Sequence, residues 1–128
     1  MSNFDRQLLE EIGEISTIRP HLIQNFAEPG ATDAEVRAWC DENYAIYQPY
    51  ASLRNLAALR PPYSESLRKI AATHGVSEYT IVLKFFIQTE AVVIPRAKNT
   101  QHLQSNLQVM SLNFDLTPAE MASLGWII

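Results

Sequence analysis

A basic residue just before a predicted helix start is the first feature of this sequence that could do chemistry. Residues 92–106 read VVIPRAKNTQHLQSN: an apolar run, a proline, Arg96 and then the polar beginning of a helix near Asn99. A guanidinium can bind a phosphate group through two hydrogen bonds, and the dipole and N–H groups of a helix start favour an anion there. The pattern predicts an anion-binding site, although an ordinary solvated loop arginine would give the same sequence.

Other chemical motifs are not evident in the sequence. The three histidines, His21, His74 and His102, are scattered without metal-ligand spacing, and there is no glycine-rich phosphate loop. The single cysteine, Cys40, lies in the segment VRAWC, which favours a buried helix residue over a nucleophile. One cysteine cannot form an internal disulfide, so a reducing compartment is expected.

Length and composition predict one globular domain, residues 1–128. The chain is 47% hydrophobic and 19% charged, and its formal net charge of −4 argues against non-specific binding to nucleic acid. The apolar runs are too short and interrupted to span a membrane, and the start of the chain does not read as a signal peptide. These features predict a cytoplasmic protein that binds neither nucleic acid nor membranes.

Predicted helices and strands alternate along most of the chain. The predicted strands are HLIQNF (21–26), AIYQPYASL (45–53) and AVVIP (91–95). The predicted helices are SNFDRQLLEEIGEIS, TDAEVRAWCDENY, SESLRKIAATHG, SEYTIVLKFFIQT, NTQHLQSNLQVM and TPAEMASLG. Their predicted starting residues are Ser2 or Asn3, Thr32 in a capping box with Glu35, Ser64, Ser77, Asn99, and Thr117 with Pro118 and Glu120, and Gly75 is predicted to end one of them.

This order of elements predicts an α/β fold with a parallel sheet. Strands separated by helices form right-handed crossovers, which bring successive strands side by side in the same direction. Three parallel strands alone would leave unpaired edges and one poorly covered face. The pattern therefore indicates part of a larger α/β structure.

Five segments resemble motifs of the aldo-keto reductase family. SNF at the start is similar to the end of GVSNF, and RPHLIQNFAEP to the family's P…NQ…HP segment. AIYQPYASL resembles the strand that ends AYSPLG, IPRAKNTQHLQSN resembles the IPKS anion motif, and FDLTPAEMASL resembles the family's C-terminal segment. The resemblance implies the C-terminal part of a (β/α)8 TIM barrel, beginning just after the fifth strand and contributing roughly three parallel strands.

The resemblance also implies a binding surface for a nicotinamide dinucleotide. Ser2, Asn3 and Gln24 match the family's contacts to the nicotinamide carboxamide, which offers both a donor and an acceptor. Tyr50 matches the aromatic residue on which the nicotinamide ring stacks, although a packed loop tyrosine is the simpler interpretation without the resemblance.

The resemblance is looser where the family binds phosphate groups. Leu53 and Asn55 lie at or near the pyrophosphate loop, but Ala51, Ser52 and Arg54 replace the family's usual serine, proline and glycine. Arg54 could contact a phosphate or obstruct the cofactor path.

In the family, the anion motif binds the 2′-phosphate of NADP. Arg96 and Asn106 match its basic residue and its asparagine, with Lys98 alongside Arg96. Ala97 replaces a serine hydroxyl, and His102 replaces an arginine that grips the same phosphate. We therefore expect NADP as the cofactor, with NAD as an alternative.

The four residues that the family uses for catalysis, an Asp, a Tyr, a Lys and a His, have no match in this sequence. We therefore expect that no catalytic residue lies in this chain and that it would not reduce carbonyls alone, since the developing alkoxide needs a proton donor within reach. One hypothesis is the cofactor-binding part of an aldehyde or ketone reductase. A non-catalytic structural or interaction subunit is the alternative. Both imply a homo-oligomer or a complementing chain, because a lone barrel portion would expose a large apolar surface.

Overall fold

In the computed structural model, which describes residues 1–127, helices and strands alternate up to residue 50, and helices follow. Ile128, the last residue of the predicted domain, lies outside the described residues. The elements are α1 (Arg6–Ile15), β1 (Leu22–Phe26), α2 (Ala34–Glu42), β2 (Ile46–Tyr50), α3 (Tyr63–His74), α4 (Glu78–Gln88), α5 (Thr100–Gln108) and α6 (Pro118–Ser123), with 3-10 turns at Leu56–Ala58 and Val109–Ser111. No helix in this part of the chain is long and apolar enough to cross a membrane.

The two strands form a parallel sheet, which confirms the predicted strand direction. Gln24 lies opposite Gln48, and Phe26 opposite Tyr50. Residues before α1 extend the same sheet, because Ser2 pairs in parallel with Gln24.

The prediction of a third strand at residues 91–95 is wrong in the described structure. The segment has the apolar sequence of a buried strand, but it forms a single hydrogen bond to the sheet, from the Val92 N–H to the Tyr47 carbonyl at 3.0 Å. A strand ladder needs repeated hydrogen bonds, whereas Pro95 has no N–H to donate. Val92 and Ile94 stay 45% and 44% exposed, so the segment lies at the sheet edge without becoming a strand.

One face of the sheet is buried and the other is open. Ile23 and Tyr47 belong to the core, together with the fully buried Phe85 and Phe86 of α4. The alternate residues Leu22, Gln24, Phe26, Ile46, Gln48 and Tyr50 are half-buried or exposed. Because successive strand residues point to opposite faces, these six form one surface, here called the open face.

Two predicted helix starts are wrong. Asp5, rather than Ser2 or Asn3, caps α1, since its carboxylate accepts a hydrogen bond from the Leu8 N–H at 2.8 Å. Thr32 and Glu35 do not form a capping box. The hydroxyl of Thr32 donates to the Gly125 carbonyl at 3.2 Å, and Asp33 precedes α2 in the left-handed region with φ 54°.

The remaining helix ends agree more closely with the sequence. Ser77 and Asn99 cap α4 and α5, and Thr117 forms the predicted capping box with Glu120. Gly75 ends α3 in the left-handed region, as predicted. α3 begins at Tyr63, one residue before the predicted Ser64.

Candidate functional site

The predicted site residues lie at or near the carboxyl-end edge of the parallel sheet. Ser2 and Asn3 pair with β1, the loop 51–55 leaves the end of β2, and residues 96–98 follow the segment that bonds β2 through Val92. Carboxyl ends of parallel strands meet at one edge, which is where α/β sheets bind ligands. The eleven predicted residues are Ser2, Asn3, Gln24, Tyr50, Leu53, Asn55, Arg96, Ala97, Lys98, His102 and Asn106.

Four of these residues lie together in one group, here called the amide cluster: Ser2, Asn3, Gln24 and Tyr50. Ser2 lies opposite Gln24 in a parallel bridge whose two hydrogen bonds are made by its neighbours Met1 and Asn3. The Asn3 N–H donates to the Gln24 carbonyl at 3.0 Å, and the Tyr50 hydroxyl donates to Asn3 Oδ1 at 2.8 Å. Asn3 has φ 60°, a left-handed conformation that asparagine tolerates better than most residues. The fold therefore brings together residues that lie up to 48 positions apart in the sequence.

Gln48 belongs beside this cluster, and the sequence prediction missed it. The Gln24 side-chain amide donates to Gln48 Oε1 at 2.6 Å across the paired strands. This bond orients the carboxamide of Gln24 on the open face. Strand alternation was the available signal, because Gln24 and Gln48 are the polar residues at matching positions of two mostly apolar strands.

The ring of Tyr50 is held edge-on against a neighbouring aromatic ring. Its centroid lies 6.2 Å from that of Phe26, with 69° between the planes. This edge-to-face packing and the hydroxyl bond to Asn3 restrict the ring at both ends. Tyr50 is half-buried, so the ring offers a flat, preoriented surface at the strand end.

The loop after β2 turns sharply and exposes polar side chains. Ala51 has φ 58°, and its carbonyl accepts from the Arg54 N–H at 2.9 Å. Leu53 packs against the core, whereas Arg54 and Asn55 are exposed. A ligand at this loop would meet the backbone of Leu53 and the side chains of Arg54 and Asn55.

The predicted anion site forms a second, more open group. Arg96, Lys98 and His102 are exposed, while Ala97 and Asn106 are half-buried. Asn99 Oδ1 accepts from the His102 N–H at 2.8 Å and so occupies one donor of the helix start. Among residues 1–127 the ion-paired basic residues are Arg6, His74 and Lys84, so Arg96 and Lys98 present charges that no described carboxylate neutralises. No hydrogen bond between described residues joins this group to the amide cluster.

Behind the amide cluster lies a buried polar network that the sequence analysis did not identify. Asn25 bonds the backbone of Phe4 and the carboxylate of Asp33, which also accepts from the Tyr47 hydroxyl at 2.9 Å. Burial, and then the nearby charge of Asp33, raise the pKa of Tyr47 far above its ordinary value. The tyrosine therefore remains a neutral hydrogen-bond donor.

Neither a metal site nor a reactive thiol is seen in the described residues. They hold no group of three or more metal-ligating side chains. Cys40 is buried in α2, which confirms its predicted place, and burial raises the pKa of its thiol to about 11. At that pKa the thiolate population at neutral pH is small.

Parallel strands alternating with helices, with polar residues at the carboxyl edge, define a chain of the (β/α)-barrel class. The family model described as "Aldo/keto reductase family" matches residues 2–127. The chain belongs to the aldo-keto reductase family, and its fold is part of that family's (β/α)8 TIM barrel.

Individual relatives agree with this assignment. The chain is similar to aldo-keto reductase family 1 member A1 of Xenopus tropicalis, with 26% identity over 98% of this chain and 40% of the relative. It resembles the thermostable aldo-keto reductase Tm1743 in complex with the inhibitor epalrestat, with 31% identity and a TM-score of 0.84 over 96% of this chain and 45% of that one. It also resembles a Bombyx mori aldo-keto reductase in complex with NADP, with 25% identity and a TM-score of 0.81 over 96% and 42%. The chain thus spans about two fifths of the length of the curated relatives that it matches.

Proposed function

We propose that this chain is the NAD(P)H-binding part of a carbonyl reductase that acts on aldehydes or ketones. The observation that carries the proposal is the amide cluster, in which Ser2, Asn3, Gln24 and Tyr50 meet at the carboxyl edge of the sheet. In the family's barrel this chain would be the C-terminal portion, beginning just after the fifth strand.

The chemistry of the amide cluster suits the nicotinamide end of the cofactor. A carboxamide needs both a donor and an acceptor, and the side chains of Ser2, Asn3 and Gln24 offer both. Tyr50 would stack on the nicotinamide ring, because its own ring is already held by Phe26 and Asn3. The bound cofactor would supply the hydride for carbonyl reduction.

The basic group supports NADP over NAD. Arg96 would bind the 2′-phosphate through its guanidinium, and the exposed Lys98 would add a second positive charge. Ala97 lacks a hydroxyl for the same phosphate, and His102 lacks the forked guanidinium with which an arginine would bind it. Asn106, together with the loop residues Leu53 and Asn55, would contact the rest of the dinucleotide. NADP is thus the proposed cofactor, with a moderate rather than complete preference over NAD.

Catalysis by this part of the barrel requires residues from elsewhere. The proposed proton donor Tyr and its Asp, Lys and His partners would come from the other strands of the barrel, which a preceding segment or a complementing chain could supply. A second copy of this chain would close the structure without creating that catalytic site. Unsatisfied apolar surface supports association: on the open face Phe26 and Ile46 are 37% and 48% exposed, and in α5 Leu107 is 65% exposed. We place this assembly in the cytoplasm, in keeping with the single buried thiol of Cys40.

Calorimetric titration of the purified chain with NADPH tests the proposal, with ATP as a control anion. Saturable NADPH binding at least tenfold tighter than that of ATP is expected, because ATP lacks the nicotinamide that the amide cluster would hold. Equal affinities would reduce the site to a general anion site and overturn the nicotinamide assignment. Light scattering after size exclusion on the same sample reports whether the binding species is a monomer or an assembly.

A further inference from the structure

Asn25 joins the backbone next to the amide cluster to the interior of the protein. Its Oδ1 accepts from the Phe4 N–H at 3.2 Å, and its Nδ2 donates to the Phe4 carbonyl at 2.7 Å. Both backbone groups of Phe4 are therefore held by one side chain. Because Phe4 directly follows Asn3, this two-point contact fixes the chain where Asn3 adopts its left-handed conformation.

Asp33 determines which way the Asn25 carboxamide points. Asn25 Nδ2 donates a second bond, of 2.9 Å, to Asp33 Oδ2. An ionised carboxylate only accepts hydrogen bonds, so it selects the nitrogen of the carboxamide and leaves the oxygen for the Phe4 N–H. Tyr47 donates to the same carboxylate oxygen at 2.9 Å and helps to hold it in place.

Because these hydrogen bonds are buried, losing one of them costs more free energy than it would at the surface. Asn25 and Tyr47 are only 8% and 6% exposed. A buried polar group that loses its partner cannot regain it from water, so the network favours one arrangement. Asn25 points to the covered face of the sheet while its neighbour Gln24 lies on the open face, so the network and the amide cluster occupy opposite sides of one strand.

We propose that Asn25, oriented by Asp33, is a positioning residue for the nicotinamide-binding residues Ser2 and Asn3. It would not touch the cofactor. It holds Phe4 so that Asn3 keeps the backbone conformation in which its side chain meets Tyr50 and its N–H meets Gln24. This inference rests on the proposed function, since it concerns the same cofactor site.

The test compares Asn25→Leu with Asn43→Leu in the full chain. Both changes remove an asparagine bond to the backbone, but Asn43 bonds the Trp39 carbonyl at the end of α2, outside the network. Three quantities are measured: the exchange rate of the Phe4 amide hydrogen by NMR, the affinity for NADPH, and the affinity for adenosine 2′,5′-bisphosphate, which lacks the nicotinamide. Asn25→Leu is expected to speed Phe4 exchange and weaken NADPH binding, each by about tenfold. The affinity for the bisphosphate should change by less than about twofold. Asn43→Leu should leave the Phe4 exchange rate and both affinities near their wild-type values.

Asp33→Asn serves as a second variant that keeps the side-chain shape and an acceptor oxygen. It is expected to give smaller changes in the same direction, and it decides the question if Asn25→Leu does not fold. Unchanged Phe4 exchange, or faster exchange with unchanged NADPH affinity, would overturn the positioning role alone. An equal loss of both ligands would indicate general destabilisation and would also overturn it. Failure of the wild-type chain to bind NADPH would instead overturn the proposed function, and the positioning role with it.

Discussion

The hydroxyl of Tyr50 donates a 2.8 Å hydrogen bond to Oδ1 of Asn3, although the two residues lie 47 positions apart in the sequence. The bond ties the end of β2 to the residues that precede α1. Since Asn3 also pairs with β1 through the Gln24 carbonyl, three successive segments of the sheet meet at this point. The candidate nicotinamide site is therefore a junction whose geometry depends on both strands.

Substitutions of Tyr50 separate the contribution of its ring from that of its hydroxyl. Tyr50→Phe keeps the ring and removes the bond to Asn3, so NADPH binding should weaken by about 0.5–1.5 kcal/mol, the usual worth of one hydrogen bond. Tyr50→Leu also removes the stacking surface and should cost about 1 kcal/mol more. Calorimetric titration measures both. If the two variants bind NADPH equally, the ring does not stack on the cofactor.

Replacing Arg96 tests the proposed 2′-phosphate contact. Arg96→Ala should weaken NADPH binding by about 1.5–3 kcal/mol, the range for hydrogen bonds to charged groups, and NADH binding far less, because NADH has no 2′-phosphate. Arg68→Ala removes another exposed arginine, from α3, and should change neither affinity. Parallel titrations with both cofactors give the comparison, and equal losses for NADPH and NADH would exclude the 2′-phosphate role.

Local sequence signals predicted the two strands and several helix ends because the forces involved are local. Ser77 and Thr117 cap helices through bonds to residues three positions away, and Gly75 supplies a left-handed helix end that costs other residues energy. The prediction of a third strand was wrong because a strand also needs a neighbouring strand to which it forms repeated hydrogen bonds. One bond from Val92 is all that residues 91–97 form with β2.

The residues of the site could be predicted from the sequence only where they lie in a family motif. The amide cluster residues follow from the family resemblance, and the structure places them together. The Asn25 network could not be predicted in this way, since Asp33 is held in a left-handed conformation by contacts that the sequence spacing does not reveal. In the sequence, Thr32 and Glu35 have ideal capping-box spacing, yet the tertiary bond of Thr32 to Gly125 prevails over it.

The charge of Glu120 should make stability depend on pH in the acid range. Burial pushes its pKa upwards, but hydrogen bonds from Thr117 and His74 outweigh burial and hold the pKa below its ordinary value. A lowered folded-state pKa contributes stability above the unfolded-state pKa of about 4.3 and loses it as the pH falls through the folded-state value. Glu120→Gln keeps the capping-box pattern while removing the charge.

Glu120→Gln should therefore lower the free energy of unfolding by about 1 kcal/mol near neutral pH, with the difference shrinking below pH of about 4. Urea unfolding of both proteins at several pH values measures this difference. Glu65→Gln, an exposed first-turn residue of α3, is the control and should show a smaller effect. A difference that grows on acidification would contradict the assigned direction of the pKa shift.

Two glycine substitutions should change stability in opposite directions. Gly30 has φ +81°, and a Cβ there would lie 2.4 Å from ring carbons of Tyr63. Gly30→Ala adds left-handed strain to a steric clash with a ring, so it should lower the free energy of unfolding by about 2–4 kcal/mol.

Gly13 lies within α1, where a Cβ would meet no atom within 4 Å. Gly13→Ala should therefore raise stability by about 0.5–1 kcal/mol, because alanine loses less conformational entropy in a helix. Urea unfolding midpoints decide both, and a tolerated Gly30→Ala would mean that the Tyr63 ring can move away from the turn between β1 and α2.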